Sequence, residues 1–286
     1  MSPAVGFALL SLVFAGIIDV LYRGYSRVPR SRGLFLLGMG LVWAVLQLVA
    51  VEVRAEHLAG DAATLGFGVA AGIMLTLSNL LLIESFTHLD VSLGSTIYRL
   101  NTVGVVVLSV VFLGEPLGAL KLLGIACGIG AAVALYERSG GGPTGRVLAL
   151  FFAIAVAASL MRASFNVTSK AGLSAGGSAT TMMLIAAICW VLGGGVYAVL
   201  RERALLGVNR TVVLYAGISG LVVFMVANSL ILALSYGEAS VVAPIANLSF
   251  VVALAISVAI GMEAMTWRKA LAVALAACSI VILSRV

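Results

Sequence analysis

The apolar residues of this chain are gathered into blocks of about 20 residues, and short polar connections between the blocks hold most of the charged side chains. A helix of about 20 residues crosses the roughly 30 Å hydrocarbon core of a bilayer. The pattern therefore predicts an all-α integral membrane protein with ten transmembrane helices. The predicted spans cover residues 3–22, 34–52, 64–84, 94–113, 117–136, 147–167, 179–200, 211–235, 239–262 and 265–283.

Composition supports this class and excludes several functions. Hydrophobic residues make up 62% of the chain and charged residues 10%, whereas a soluble chain is about 25% charged. The formal net charge of +6 could suit nucleic acid. However, the basic residues lie in short loops beside membrane helices, where anionic headgroups attract them. We therefore expect a lipid bilayer as the environment and no nucleic-acid partner.

The chain contains an internal repeat. The segment from Asp90 to Glu115 aligns with the segment from Glu238 to Glu263 at an offset of 148 residues, and Trp43 aligns with Trp190 at an offset of 147. A flexible Ser-Gly-Gly-Gly-Pro stretch at 139–143 separates the two copies. This predicts a first five-helix repeat over 1–138, a linker over 139–146 and a second repeat over 147–286.

The number of spans in each repeat determines how the two halves are related. Five is odd, so the second half enters the membrane from the opposite side, and the repeats are predicted to be inverted. Inverted repeats with a binding site near the membrane midplane are a recurring plan of secondary transporters.

At this point the chain resembles the drug/metabolite transporter superfamily in its ten-helix, EamA-type form. The resemblance rests on the duplication, on a glutamate after the fourth span of each half (Glu115 and Glu263), and on a small residue nine positions later (Gly124 and Ala272). Met262 departs from the pattern, because glycine precedes the glutamate in the first half. The resemblance implies a central cavity lined by spans 1–4 and 6–9, and export of amino acids or similar amphipathic metabolites.

Asp19, Arg99 and Arg162 are charged residues inside predicted spans, where each charge is costly and indicates a functional site. Asp19 and Arg99 have matching depths on one side of the membrane, and Asn79 lies at a similar depth. We expect Asp19, Arg99 and Asn79 to form a gate or an ion pair. Glu115 and Glu263 sit at tight connections, where each is expected to cap the next helix.

Arg162 is the repeat equivalent of Asp19, and inversion is expected to place it on the other side of the midplane, near Asn228 and Asn247. Neither asparagine can neutralise it. An unpaired guanidinium in a cavity would suit a substrate carboxylate or phosphate, whose oxygens match its paired donors. The alternative is that Arg162, about five residues from the centre of its predicted span, extends to the interface.

Trp43 and Trp190 fall near the middle of spans 2 and 7, although tryptophan favours the membrane interfaces. With Tyr98 they are predicted to line the apolar part of a substrate site. The alternative is that they pack against neighbouring helices or lipid.

The function predicted from these features is secondary transport by alternating access, in a bacterial inner membrane, with a small-molecule substrate and no cofactor or metal. A transporter of anionic metabolites such as sugar phosphates is the alternative, and a non-transporting scaffold or enzyme is a third. The GxSxG pattern at 172–176 lacks the strand–turn–helix setting of a hydrolase, so no enzyme activity is expected.

Assembly and orientation are left open by the sequence. Small-xxx-small spacing at Gly68/Gly72 and Gly124/Gly128 permits a weak homodimer as well as a monomer. Odd-numbered connections carry 11 Lys and Arg residues and the remaining connections and termini carry 4. The positive-inside rule then places both termini outside the cytoplasm, whereas the resemblance implies that both are inside.

Overall fold

The computed structural model describes residues 2–26, 28, 30–85, 97–135, 145–203, 209–261 and 264–286. All regular secondary structure in these ranges is helical, as predicted. The helices are α1 (Pro3–Ser26), α2 (Arg32–Val53), α3 (Ala62–Ser85), α4 (Asn101–Leu113), α5 (Ala119–Ala134), α6 (Gly145–Ser174), α7 (Ala179–Tyr197), α8 (Arg210–Tyr236), α9 (Ala239–Ala246), α10 (Phe250–Ala259) and α11 (Trp267–Leu283).

Helix starts follow local sequence signals. Ser31, Ser178 and Asn209 precede α2, α7 and α8, and each side chain accepts a hydrogen bond from a backbone N–H in the first turn of its helix. Such caps satisfy donors that have no partner within the helix. Because these signals are short and local, most predicted ends lie within a few residues of the observed ones.

Within the described ranges, seven segments are long and apolar enough to cross a bilayer. They comprise α1, α2, α3, α6, α7, α8 and the combined α9–α10 segment, while Ile97–Leu113 and Ala119–Ala134 are shorter apolar helices. The chain is thus an integral membrane protein, and the ten-span count is supported in part. The inverted relation and the domain division remain predictions, and residues 139–144 of the predicted linker lie outside the described ranges.

The two halves of the chain pack against each other along most of their length. In the first half, α1 packs on α8, α2 packs on α7 and α8, and α3 packs on α6 and α7. At the periphery, α5 packs on α11. Contacts between helices of different halves therefore account for much of the packing.

Glycines allow several of these helices to approach closely. Gly68 and Gly72 face α7, while Gly124 and Gly128 face α11. The small-residue motifs that would permit a dimer are thus used within the chain. The helices α2 and α7 also approach closely, because a Cβ on Gly194 would lie 2.5 Å from the backbone nitrogen of Leu37.

Gly194→Ala is expected to lower the melting temperature in detergent, because its methyl group would push α2 and α7 apart. Overpacking of this kind costs about 1–3 kcal/mol. Gly217 is a matched control, since its Cβ would meet nothing within 4 Å. Gly217→Ala lies in the helix α8 and should be neutral or stabilise by about 0.5–1 kcal/mol. Equal melting temperatures for both variants would contradict close α2–α7 packing.

The ninth predicted span, 239–262, is interrupted. Pro244 lies inside α9, and residues Asn247–Ser249 form a single 3₁₀ turn before α10. Proline has no N–H to donate and disfavours a regular helix at this point. Irregular backbone at membrane depth is tolerated where protein groups satisfy it. The break therefore marks a position at which other helices supply polar contacts.

Candidate functional site

Asp19 and Arg99 meet at this break. The Arg99 Nη2 donates to Asp19 Oδ2 at 3.2 Å, and their side chains are 21% and 30% exposed, respectively. Ser249 Oγ donates to the same carboxylate oxygen at 3.1 Å. Asp19 thus connects α1 to the start of the fourth span and to the 3₁₀ turn. The two residues expected to pair are in contact, and their role as a gate remains a prediction.

The second nitrogen of Arg99 contacts the interrupted backbone. Its Nη1 donates to the carbonyl of Asn247 at 3.2 Å, and the guanidinium lies over the Phe250 ring, 4.8 Å from the centroid. The Asn247 side chain donates to Asn101 Oδ1 at 2.6 Å and to Thr102 Oγ1 at 3.1 Å. Asn247 was expected beside Arg162 but lies in the Arg99 network, because the break turns it toward α4.

Asn79 was expected in the same layer but uses its side chain locally. Its Nδ2 donates to the carbonyl of Leu75 at 2.8 Å, one turn earlier in α3. Tyr98 also makes a helix-packing contact, since its hydroxyl lies 3.0 Å from Ser78 Oγ, which in turn donates to the carbonyl of Ala158. Tyr98 therefore connects the fourth span to α3 and α6.

Arg162 is deeper than the sequence estimate indicated. The apolar part of α6 runs over Ala149–Ser174, so Arg162 lies at its middle, about 18 Å from either end at about 1.5 Å per residue. Its guanidinium lies 5.3 Å from the Phe165 ring centroid. Among the described residues, no carboxylate or hydrogen-bond acceptor contacts it.

Two residues that the sequence analysis did not select lie beside this arginine. The Tyr22 hydroxyl is within electrostatic range of Asp19, Tyr98 and Arg162. Tyr22 thus lies between the two predicted polar layers, and their placement on opposite sides of the midplane remains a prediction. Asp19 and Tyr22 are three residues apart on α1, and this helical spacing was the available signal.

The second residue is Asn166, one helical turn after Arg162. It is 2% exposed, and its Nδ2 donates to the carbonyl of Arg162 at 3.0 Å. Its Oδ1 has no donor among the described residues. A buried acceptor without a donor is uncommon and calls for an explanation. Arg162 and Asn166 thus offer an unpaired cation and an unpaired acceptor on one stripe of α6.

Trp43 and Trp190 lie directly against each other. Their ring centroids are 5.6 Å apart with the rings nearly perpendicular, and the residues are 0% and 5% exposed. This edge-to-face contact is a favoured aromatic geometry. In this conformation the pair packs between α2 and α7, as the alternative interpretation held. Neither indole N–H has an acceptor among the described residues.

Asn228 lies beside the α2 helix and is paired with Gln47. Its Nδ2 donates to Gln47 Oε1 at 2.9 Å and to the carbonyl of Phe224 at 2.9 Å. Gln47 Nε2 donates in return to Asn228 Oδ1 at 3.4 Å and to the carbonyl of Thr180 at 3.3 Å. This amide pair joins α2 to α7 and α8, and it leaves Asn228 outside the surroundings of Arg162.

A pocket of about 600 Å³ lies at the end of α2 rather than at the membrane midplane. Its lining includes Glu52, Glu56, His57 and apolar residues of α2. None of the predicted substrate-binding residues contributes to it. The midplane cavity that the resemblance implied therefore remains a prediction.

Residues 2–136, which contain α1 to α5, match the family model of the EamA-like transporter family. This match over the first half of the chain agrees with the resemblance to the drug/metabolite transporter superfamily. The matched family consists of membrane transporters.

Comparison with solved structures agrees with this fold. A structure described as "Crystal structure of protein" matches with a TM-score of 0.82 and 14% sequence identity, over 98% of this chain and 95% of the matched chain. At this identity the match shows the fold alone. No curated protein matches the sequence.

Proposed function

We propose that this EamA-like transporter exports small amphipathic metabolites that carry one negative charge, with amino acids as the main candidates, by alternating access across a bacterial inner membrane. The main support for this proposal is the position of Arg162. This cation lies at the middle of α6 and has no carboxylate partner among the described residues. An uncompensated charge at this depth is unfavourable. A substrate anion would neutralise it.

The surroundings of Arg162 favour a substrate with both polar and apolar parts. The guanidinium supplies paired donors for a carboxylate, Tyr22 and Tyr98 lie close by, and Asn166 Oδ1 offers an acceptor to a substrate ammonium or hydroxyl group. Phe165 covers one side of the guanidinium. We propose that Trp43 and Trp190 enclose the apolar part of the substrate when α2 and α7 separate, and that Asn228 and Asn247 support this site.

The charge balance favours a monoanion over a sugar phosphate. A phosphate ester carries nearly two negative charges at neutral pH, so a second free cation would be needed. Arg99 is also predicted to lie within a span, but Asp19 already neutralises it. We propose that Asp19, Arg99 and Asn79 lie at the gate beside the site rather than in direct contact with the substrate.

Counterflow in proteoliposomes tests this proposal. Vesicles preloaded with unlabelled amino acid should accumulate labelled amino acid above the level of protein-free vesicles. Apolar and aromatic amino acids should compete best, because the surroundings of the charge are apolar. Sugar phosphates should compete at least tenfold less well. Stronger competition by a sugar phosphate than by every amino acid would overturn the assignment.

A further inference from the structure

Two glutamates cap helix N-termini that belong to the other half of the chain. The first is Glu202, at the end of α7. Its Oε1 accepts from the backbone N–H of Arg32 at 2.9 Å, and its Oε2 accepts from Gly33 N at 3.1 Å and from Ser31 Oγ at 2.5 Å. A carboxylate at a helix start satisfies unpaired donors and interacts favourably with the helix dipole. Glu202 thus caps the start of α2, although the two lie 170 residues apart in the sequence.

The second is Glu115, which follows α4. Its Oε1 accepts from Ala239 N at 2.7 Å, and its Oε2 accepts from Ser240 N at 2.9 Å and from Ser240 Oγ. Glu115 was expected to cap the next helix, α5, but it caps α9, 124 residues away. Local spacing could not indicate this partner, because the contact depends on how the halves pack. The repeat equivalent, Glu263, lies outside the described residues.

A buried lysine strengthens the second contact. Lys121 is 1% exposed, and its Nζ donates to Glu238, to Ser240 Oγ at 3.1 Å and to the carbonyl of Pro116 at 2.6 Å. Charge-assisted hydrogen bonds are roughly twice as strong as neutral ones. The start of α9 therefore contacts both the Glu115 carboxylate and the Lys121 ammonium group.

The two caps lie on opposite faces of the membrane if the ten predicted spans alternate in direction. The start of α2 follows one crossing and the end of α7 follows seven, so Glu202 and its partners share one face. The end of α4 follows four crossings and the start of α9 follows eight, so Glu115 and its partners share the other face. Each face thus has a carboxylate that caps a helix of the other half.

Residues of the two halves are also in close contact beside each cap. A Cβ on Gly33 would lie 2.5 Å from the backbone nitrogen of Ala198, and a Cβ on Gly237 would lie 2.6 Å from Ala4 Cβ. Beside the Glu202 cap, the Tyr25 and Phe35 rings stack at 4.0 Å, and the Tyr25 hydroxyl donates to the carbonyl of Ser31 at 2.6 Å. Both ends of the interface between the halves are therefore closed in this conformation.

The end of α7 also has an irregular backbone. Residues Ala198–Glu202 form a π-helical turn, and Arg203 follows with φ = 51°. Such π turns occur frequently at functional sites. Glu202 thus sits on a segment whose geometry differs from a regular helix, directly at the point where the two halves meet.

We propose that Glu202 and Glu115 are gating residues of this transporter, and that each cap closes one face. Opening a face requires its carboxylate to leave the helix start, while the other cap stays formed. The inference rests on the transport function but on no particular substrate. Arg162 and the proposed substrate preference play no part in it.

A single reporter cysteine tests the proposal. Cys127, Cys189 and Cys278 are replaced by alanine, and Asn166→Cys places a thiol at a buried central position. Labelling by a membrane-impermeant maleimide is then measured in vesicles of both orientations. Glu202→Gln should raise the labelling rate at least fivefold from the face that carries residues 28–31. Glu115→Gln should do so only from the opposite face.

Glu56→Gln is the matched control. Glu56 pairs with Arg54 in the same connection at 3.9 Å, and both side chains are about two-fifths exposed. Its loss should leave labelling unchanged from both faces. One-sided increases support the gating role, because a purely structural role would expose the thiol equally from both sides. Equal increases from both faces, or no increase in folded Glu202→Gln protein, overturn it.

Cross-linking covers the case in which a Gln variant fails to fold. Cysteines at 31 and 202 in the background without native cysteines, joined by a short bifunctional thiol reagent, should reduce counterflow at least tenfold. The same reagent acting on cysteines at 54 and 56 should have no effect. Transport at the parent rate after complete cross-linking of 31 to 202 overturns the proposal. Because thiol labelling uses no substrate, a wrong substrate class would leave the labelling result intact.

Discussion

Arg162→Gln is expected to weaken binding of a carboxylate substrate by about ten- to hundredfold. A hydrogen bond to a charged group inside a closed site contributes about 1.5–3 kcal/mol, and about 1.4 kcal/mol corresponds to a factor of ten in affinity. Arg162→Lys should fall between the parent and Arg162→Gln, because lysine keeps the charge but loses the paired donors.

An acid and its neutral amide distinguish recognition of charge from loss of structure. The parent should prefer the acid, whereas Arg162→Gln should bind the acid and the amide with similar affinity. Arg146→Gln is a matched control, since Arg146 is an exposed cation near the start of the same helix. If folded Arg162→Gln retains the parental ratio of acid to amide affinity, Arg162 does not contact the substrate anion.

Removing either Asp19 or Arg99 alone is expected to lower both stability and transport, because the remaining charge would lose its partner at membrane depth. Exposed ion pairs contribute about 0–1 kcal/mol, whereas breaking a buried pair costs about 3–5 kcal/mol. The side chains are 30% and 21% exposed, so we expect an intermediate loss of about 1–3 kcal/mol.

A double-mutant cycle measures this pair directly. Asp19→Asn combined with Arg99→Gln should be less harmful than the sum of the single changes, because the double variant leaves no unpaired charge. Asp19→Arg with Arg99→Asp should restore only part of the function. In that reversal, the aspartate at position 99 would face the carbonyl oxygen of Asn247. In the parent protein this carbonyl accepts a hydrogen bond from Arg99. Additive losses in melting temperature and counterflow would show that the pair is not coupled.

Much of the fold could be predicted because its signals are local. The length and apolarity of each block predict membrane helices, since a bilayer requires about 20 apolar residues in each span. Serine or asparagine caps the starts of α2, α7 and α8, and capping depends only on residues within one turn. The family resemblance also depended on short motifs, and Glu115 is one of them.

The candidate site was predictable only in part. Charges within apolar spans selected Asp19, Arg99 and Arg162, because any charge at membrane depth is unfavourable. Depth estimates from span centres were less accurate. They placed Arg162 too far from the centre, since the end of α6 at Ser174 carries no signal strong enough to locate it. Tyr22 and Asn166 were not predicted, because uncharged polar side chains are common in apolar helices.

The sequence by itself determined the class of protein, most of the helices and the family resemblance, since each depends on composition or on contacts within a few residues. Only the tertiary structure decided which helices meet. The Glu115 carboxylate could have capped α5, yet it caps α9, and Glu202 lies at the start of α2. Trp43 contacts Trp190 and Gln47 contacts Asn228 for the same reason. These partners are more than 120 residues apart, and their positions follow from close packing of the two halves, which no local pattern specifies.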